Sequence, residues 1–93
     1  MKYVYVIERW NRKREAYSSK ARAFDQVFEL MGDDGRKIVG GCEGSTQSST
    51  EIVPGVSERM IRGHMDTMLN LYGGFTIELG PMGSLHCFYL KVR

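Results

Sequence analysis

The chain has 93 residues and a formal net charge of +2, with 42% hydrophobic and 26% charged residues. A chain of this length is expected to form one domain, residues 1–93, with a small hydrophobic core. The modest net charge does not by itself indicate a nucleic-acid partner. The sequence has no apolar run long enough for a membrane-spanning helix, and its start lacks a secretory leader pattern. We therefore expect a cytoplasmic protein with no membrane partner.

The first predicted element is a β-hairpin. Residues 2–10 alternate between two sets of β-forming side chains, which point to opposite faces of a strand. The two sets are Val4 with Val6, and Tyr3 with Tyr5 and Ile7. Because both sets are bulky, an interior strand is favoured. The polar residues 11–13 predict a turn, and residues 14–18 predict the returning strand.

A helix is predicted to follow within AYSSKARAFDQVFELMG, residues 16–32. Ser18 or Ser19 can cap it, because a serine oxygen accepts a hydrogen bond from the free N–H groups of a first helical turn. Apolar residues then recur at helical spacing and predict one buried face. They are Ala21 or Phe24, then Val27, Phe28 and Met31. Gly32 follows, where a helix end favours a left-handed residue.

The middle of the chain predicts two short strands separated by a loop. Residues 33–35 indicate a turn and residues 36–39 a strand. The segment GGCEGSTQSST, residues 40–50, has almost no apolar side chain and predicts an exposed, flexible connection that could become ordered on a partner. It lacks the Gly-Lys-Ser/Thr ending of a phosphate-binding loop. Residues 51–53 predict another short strand.

A second amphipathic helix is predicted to begin after Ser57, with Glu58 in its first turn. Its apolar stripe consists of Ile61, Met65, Met68, Leu69 and Tyr72. Methionines at this spacing are typical of core filler, and a methionine surface that binds a partner is the alternative. The glycines at 73 and 74 are expected to end the helix.

The C-terminal segments 75–79 and 85–92 alternate as a strand pair. The sequence therefore predicts an α+β fold: a two-layer sandwich with a mostly antiparallel sheet of four to five strands and two amphipathic helices on one face. A split βαβ arrangement and a simpler hairpin–helix meander are both compatible with this order of elements.

The two long strands are expected to give the sheet one buried and one exposed face. We expect the buried set to be Val4, Val6, Phe88, Leu90 and Val92. The exposed set would then be Tyr3, Tyr5, Ile7, Arg9, Tyr89, Lys91 and Arg93. Exposed aromatics between basic residues stack single-stranded bases, at about 1–3 kcal/mol each. The motif of an RNA-recognition sheet is absent, however, and such a face can equally bind a protein or a second copy of the chain.

Catalytic and metal motifs are not evident in the sequence. The two cysteines, Cys42 and Cys87, do not form a CxxC spacing, and His64 and His86 are far apart. Both thiols are expected to be free in a reducing compartment. We therefore expect no metal, no cofactor and no enzymatic activity, because catalysis needs converging titratable groups.

Tyr17-Ser18-Ser19-Lys20, followed by Ala23 and preceded by a charged hairpin, forms a recurring pattern over the first third of the chain. It resembles small, mostly uncharacterised accessory proteins of bacteriophages and their hosts. That resemblance implies a small protein that binds and blocks a larger host machine.

Together, these observations predict a non-enzymatic protein that acts by stoichiometric contact with a larger protein. Its predicted binding residues are the sheet residues Tyr3, Tyr5, Arg9, Tyr89 and Lys91, and the basic turn residues Arg12, Lys13 and Arg14. Binding of single-stranded nucleic acid by the same sheet face is the alternative, and a homodimer is compatible with both.

Overall fold

The computed structural model describes residues 2–9, 13–40, 48–53 and 55–92. Within these ranges the elements are β1 (Lys2–Glu8), β2 (Arg14–Tyr17), α1 (Lys20–Met31), β3 (Lys37–Gly40), β4 (Ser48–Glu51), α2 (Glu58–Tyr72), β5 (Gly74–Glu78) and β6 (Ser84–Val92). A short 3-10 helix, Gly80–Met82, connects β5 to β6.

The strands form one six-stranded antiparallel sheet in the order β2-β1-β6-β5-β3-β4. The α+β class is confirmed, and the expected count of four to five strands is wrong. Both short strands between the helices join the sheet, since β3 pairs with β5 on one side and with β4 on the other. A simple meander is excluded, because β1 pairs with β6 rather than only with its neighbours in sequence.

Both helices begin and end as the sequence predicts. Ser19 is the N-cap of α1, and its hydroxyl accepts a hydrogen bond from the backbone N–H of Arg22. Ser57 caps α2 in the same way, through the backbone N–H of Met60. Gly73 ends α2 in the left-handed conformation, with a φ of 79°. The caps satisfy backbone groups that would otherwise lack partners at the helix ends.

One hydrophobic cluster joins the two helices to one face of the sheet. From α1 it contains Ala23, Phe24, Val27 and Met31, and from α2 Ile61, Met65, Met68 and Leu69. The strands contribute Ile7, Ile38, Phe75, Ile77, Leu85 and Cys87. These strand residues stand opposite one another in register, so they share a face, which we call the helix-bearing face.

The predicted assignment of the two faces is wrong. Ile7, expected on the exposed face, is fully buried, and Leu90, expected beneath the helices, is 54% exposed. Tyr5 and Tyr89 stand opposite each other and pack against the core. The error arises because β1 carries bulky side chains on both faces, so alternation alone does not identify the buried one.

The predicted bounds of the loop, residues 40–50, are wrong at both ends, because each end belongs to a strand. Gly40 is the buried last residue of β3, and Ser48–Glu51 forms the edge strand β4. Residues 48–51 have the polar composition of a loop but pair with β3 through their backbone, with Ser49 opposite Val39. The part of this segment from 41 to 47, with Cys42, lies outside the described residues.

No helix in the described part of the chain is long and apolar enough to cross a membrane.

Candidate functional site

A small cleft opens where the two helices meet above the central strands. Helix α1 contacts β1 and β2, and α2 contacts β3, β5 and β6, so the boundary between the helices lies over the β1–β6 pair. The cleft has a volume of about 200 Å³. It is lined by Tyr3, Tyr5, Lys20, Leu69, Asn70 and Tyr89, and we call it the tyrosine cleft.

The tyrosine rings form an angled wall. The centroids of Tyr3 and Tyr89 are 5.3 Å apart with planes at 85°, and those of Tyr5 and Tyr89 are 6.5 Å apart with planes at 53°. The register explains this grouping, since Tyr5 is directly opposite Tyr89 and Tyr3 is opposite Lys91. Tyr3 is 40% exposed, whereas Tyr5 and Tyr89 are half-buried.

An ion pair between the helices borders the cleft. Lys20, the first residue of α1, places its Nζ 2.5 Å from Oδ1 of Asp66 on α2. Both side chains are about two-fifths exposed, at 41% and 43%, so solvent screens their attraction. Lys91 is exposed and lies on the same face of β6 as Tyr89. Of these three charged residues, Lys20 lines the cleft, and Asp66 and Lys91 lie outside its lining.

Arg14 of the predicted basic turn and the sheet residue Arg9 are absent from the cleft lining, and both are paired with carboxylates. Arg9 forms an ion pair with Glu15, which also accepts a hydrogen bond from the Tyr17 hydroxyl at 2.5 Å. Arg14 Nε donates to Glu8 Oε2 at 2.5 Å. Because both arginines already have carboxylate partners, a phosphate would have to compete for them.

This network changes two pKa values. The hydrogen bond from Tyr17 and the Arg9 guanidinium lower the pKa of Glu15, although burial opposes them. Burial, together with the hydrogen bond to Glu15, raises the pKa of Tyr17 to about 12. At neutral pH the pair is therefore a neutral phenol donating to a carboxylate.

The other face of the sheet carries no helix among the described residues, and we call it the open sheet face. Its centre is apolar: Val4 is opposite Leu90 and Val6 is opposite Phe88, on the two central strands. Leu90 is the most exposed of these four side chains. A groove of about 410 Å³ lies beside Phe88, and its lining also includes Tyr89 of the helix-bearing face and Tyr72 and Gly73 at the end of α2.

A polar row crosses the open sheet face next to this apolar centre. It consists of Thr76, His86, Glu8 and Arg14, which stand opposite one another on β5, β6, β1 and β2. Thr76 Oγ1 and His86 Nδ1 are 2.6 Å apart and share a hydrogen bond. The row can offer hydrogen bonds and both signs of charge to a partner that covers the apolar centre.

Of the predicted binding residues, Tyr3, Tyr5 and Tyr89 line the tyrosine cleft, and Lys91 stands opposite Tyr3 outside that lining. It places Arg9, Lys13 and Arg14 elsewhere, at the hairpin of β1 and β2, and Arg12 lies outside the described residues. Sequence reasoning missed Lys20, Leu69 and Asn70, because helix periodicity does not show which strand a helix end faces. It also assigned Phe88 and Leu90 to the core.

Two observations concern the metal-binding and nucleophilic side chains of the described residues. They contain no group of three or more histidine, cysteine or acidic side chains that could hold a metal ion. Cys87 is a buried free thiol, and burial raises its pKa to about 12. It therefore stays protonated at neutral pH and is a poor nucleophile.

No protein-family model matches this chain, and no curated protein or solved structure is significantly similar to it. Its function therefore has to be inferred from the geometry of these surfaces, and the resemblance to small bacteriophage proteins stays a prediction.

Proposed function

We propose that this chain is a non-enzymatic binding protein that acts on a larger protein by stoichiometric contact through the open sheet face. The observation that carries the proposal is the apolar centre of that face. Leu90 is 54% exposed, and Val4 and Phe88 beside it are half-buried with no described helix over them, whereas Val6 is buried. Apolar side chains that remain exposed together are typical of protein-binding surfaces.

The pattern of the face fits an interface that forms and separates. An apolar centre surrounded by polar groups is the usual anatomy of such interfaces. Here Leu90 and Phe88 supply the centre, and Glu8 with Arg14 supply part of the rim. The groove beside Phe88 could accept one large side chain of the partner, which is how binding energy is often concentrated.

Several observations favour binding over catalysis. Cys87, the cysteine within the described ranges, is buried and its pKa is raised. Thr76 and His86 share a hydrogen bond, but Thr76 is not among the residues lining the adjacent groove. A substrate held in the groove would therefore not meet the Thr76 hydroxyl.

Binding of single-stranded nucleic acid receives less support from the geometry. Tyr5 and Tyr89 pack against the core rather than standing open on a sheet face, so a strand of bases could not stack across them. Arg9 and Arg14 are paired with carboxylates. The resemblance of residues 17–20 to bacteriophage accessory proteins adds the proposal that the partner is a component of a host machine.

The proposal is tested by comparing two leucines with similar exposure. Leu90→Asp places a charge at the centre of the open sheet face, and Leu71→Asp places the same charge on α2, where Leu71 is 67% exposed. We expect tagged wild-type protein to capture one host protein in 1:1 stoichiometry, with or without nuclease. Leu90→Asp should weaken that affinity at least about tenfold, or about 1.4 kcal/mol, and Leu71→Asp should leave it within about twofold.

Two results would contradict the proposal. Equal affinity of both variants for the captured protein would show that the partner does not contact the open sheet face. Capture that disappears after nuclease treatment and falls steeply with salt would instead support the nucleic-acid alternative.

A further inference from the structure

We propose that the tyrosine cleft is a separate binding site for a small molecule consisting of one aromatic ring that carries a single negative charge. The cleft lies on the helix-bearing face, whereas Leu90 lies on the open sheet face; Tyr89 lines both the cleft and the groove beside Phe88. Size, wall chemistry and charge each restrict the ligand.

The volume of the cleft restricts the ligand to about one ring. A dry cavity of about 150 Å³ is enough to bind benzene, and pockets for drug-sized molecules have about 300–1,000 Å³. The tyrosine cleft, at about 200 Å³, lies between these limits. It can hold a six-membered ring with a carboxylate substituent, whereas a whole nucleotide would extend out of it.

The walls of the cleft favour an aromatic ring over an aliphatic group. Tyr3 and Tyr89 both line the cleft, and their ring planes are nearly perpendicular, so the wall has aromatic surfaces in two orientations. A further ring can therefore make edge-to-face and offset-stacked contacts at once, which are the preferred aromatic geometries. The buried Leu69 adds an apolar wall, and the Asn70 side chain adds an amide at the mouth.

The charges at the cleft favour an anion. Lys20 lines it directly and is paired with Asp66, and Lys91 stands opposite Tyr3 on the neighbouring strand. The ammonium of Lys20 has three N–H donors, and its bond to Asp66 uses one. A ligand carboxylate can accept one of the others, and Lys91, opposite Tyr3, adds a second positive charge on the same face of the sheet.

The test uses benzoate as the probe and the protein labelled with ¹⁵N. We expect a titration followed by NMR to give saturable shifts of the backbone amides of Leu69 and Asn70, with a dissociation constant of about 1 mM, as suits a nine-atom ligand. Benzyl alcohol, which has the ring without the charge, should bind at least about fivefold more weakly. Acetate, which has the charge without the ring, should give no saturable shifts at these amides.

Matched variants locate the site. Lys20→Met should weaken benzoate binding about tenfold, since it removes the donor and leaves Asp66 unneutralised. Lys37→Met removes a lysine from β3, which is remote from the cleft lining, and should leave binding unchanged. Tyr89→Leu should abolish saturable shifts, while unchanged amide positions in β3 and β5 would show that the variant is folded.

The proposal would be overturned by an absence of saturable shifts at up to about 20 mM benzoate, a range that covers weak fragments. It would equally be overturned if Lys37→Met weakened binding as much as Lys20→Met, or if a single-stranded oligonucleotide displaced benzoate from the cleft. Leu90→Asp changes the other face and should still bind benzoate normally. A failure of the proposed protein contact would therefore be distinguishable from a failure of benzoate binding.

Discussion

Replacement of Gly40 by alanine should destabilise the protein through a contact that the sequence does not reveal. Gly40 ends β3 and is buried under the end of α2. A Cβ atom at this position would lie 2.6 Å from Cδ2 and 2.7 Å from Cε2 of Tyr72, and 3.2 Å from Cγ of Met68. Carbon atoms normally pack at about 3.5–4.0 Å, so the Tyr72 ring would have to move by about 1 Å.

The size of the effect follows from two opposing contributions. Inserting a methyl group into a packed site costs about 1–3 kcal/mol. Replacing glycine by alanine also restricts the unfolded chain, which stabilises the protein by about 0.4–1 kcal/mol where the backbone permits alanine. We therefore expect Gly40→Ala to lower the free energy of unfolding by about 1–2 kcal/mol.

Urea denaturation of four proteins would measure this effect and assign it to Tyr72. They are the wild type, Gly40→Ala, Tyr72→Leu and the double variant. Since the shorter leucine side chain makes room for the new Cβ, Gly40→Ala should cost at least about 1 kcal/mol less in the Tyr72→Leu background. Additivity of the two changes within about 0.5 kcal/mol, or a neutral Gly40→Ala, would refute the reasoning.

Three further predictions concern the hydrogen-bonded network, the buried thiol and a helix cap. Because the pKa of Tyr17 is raised from 10 to about 12, its folded state binds the phenolic proton more tightly. That contribution to stability should be complete below pH 10 and be lost as the pH rises through 12, so Tyr17→Phe should flatten the fall in unfolding free energy between pH 10 and 12. In a Cys42→Ser background, Cys87 should react with a thiol reagent at pH 8 only as fast as the protein opens; rapid labelling of the folded state would contradict its burial. Ser57→Ala should cost about 1 kcal/mol in urea denaturation, and no loss would show that the cap of α2 contributes little.

The helices were predictable because their signals are local. A capping serine, a buried stripe and a terminal glycine all lie within one stretch of chain, and Ser19 and Ser57 cap the two helices as expected. No pairing across the molecule is needed to recognise them. The same locality explains why the α+β class could be predicted.

The faces of the sheet were not predictable, because strand partners decide them. Tyr5 is half-buried because Tyr89 stands opposite it beneath the helices, and these two residues are 84 positions apart. Ser49 lies in a segment with the composition of a loop, and only its pairing with β3 makes it part of a strand. The role of Lys20 in the candidate site depends on the packing of α1 against α2, where it pairs with Asp66, a residue 46 positions away. Each of these depends on tertiary contacts that alternation and propensity do not encode.

The position of β6 in the sheet has a consequence for synthesis on the ribosome. It follows the other five strands in sequence, and it pairs with β1 on one side and β5 on the other. Until residues 84–92 have emerged, the sheet exists only as two pieces, β2-β1 and β5-β3-β4, each with an unpaired edge. Since β1 can pair with β6 only after those residues have emerged, the nascent chain carries these unpaired edges until then. The arrival of β6 should therefore join both parts of the sheet in one late step.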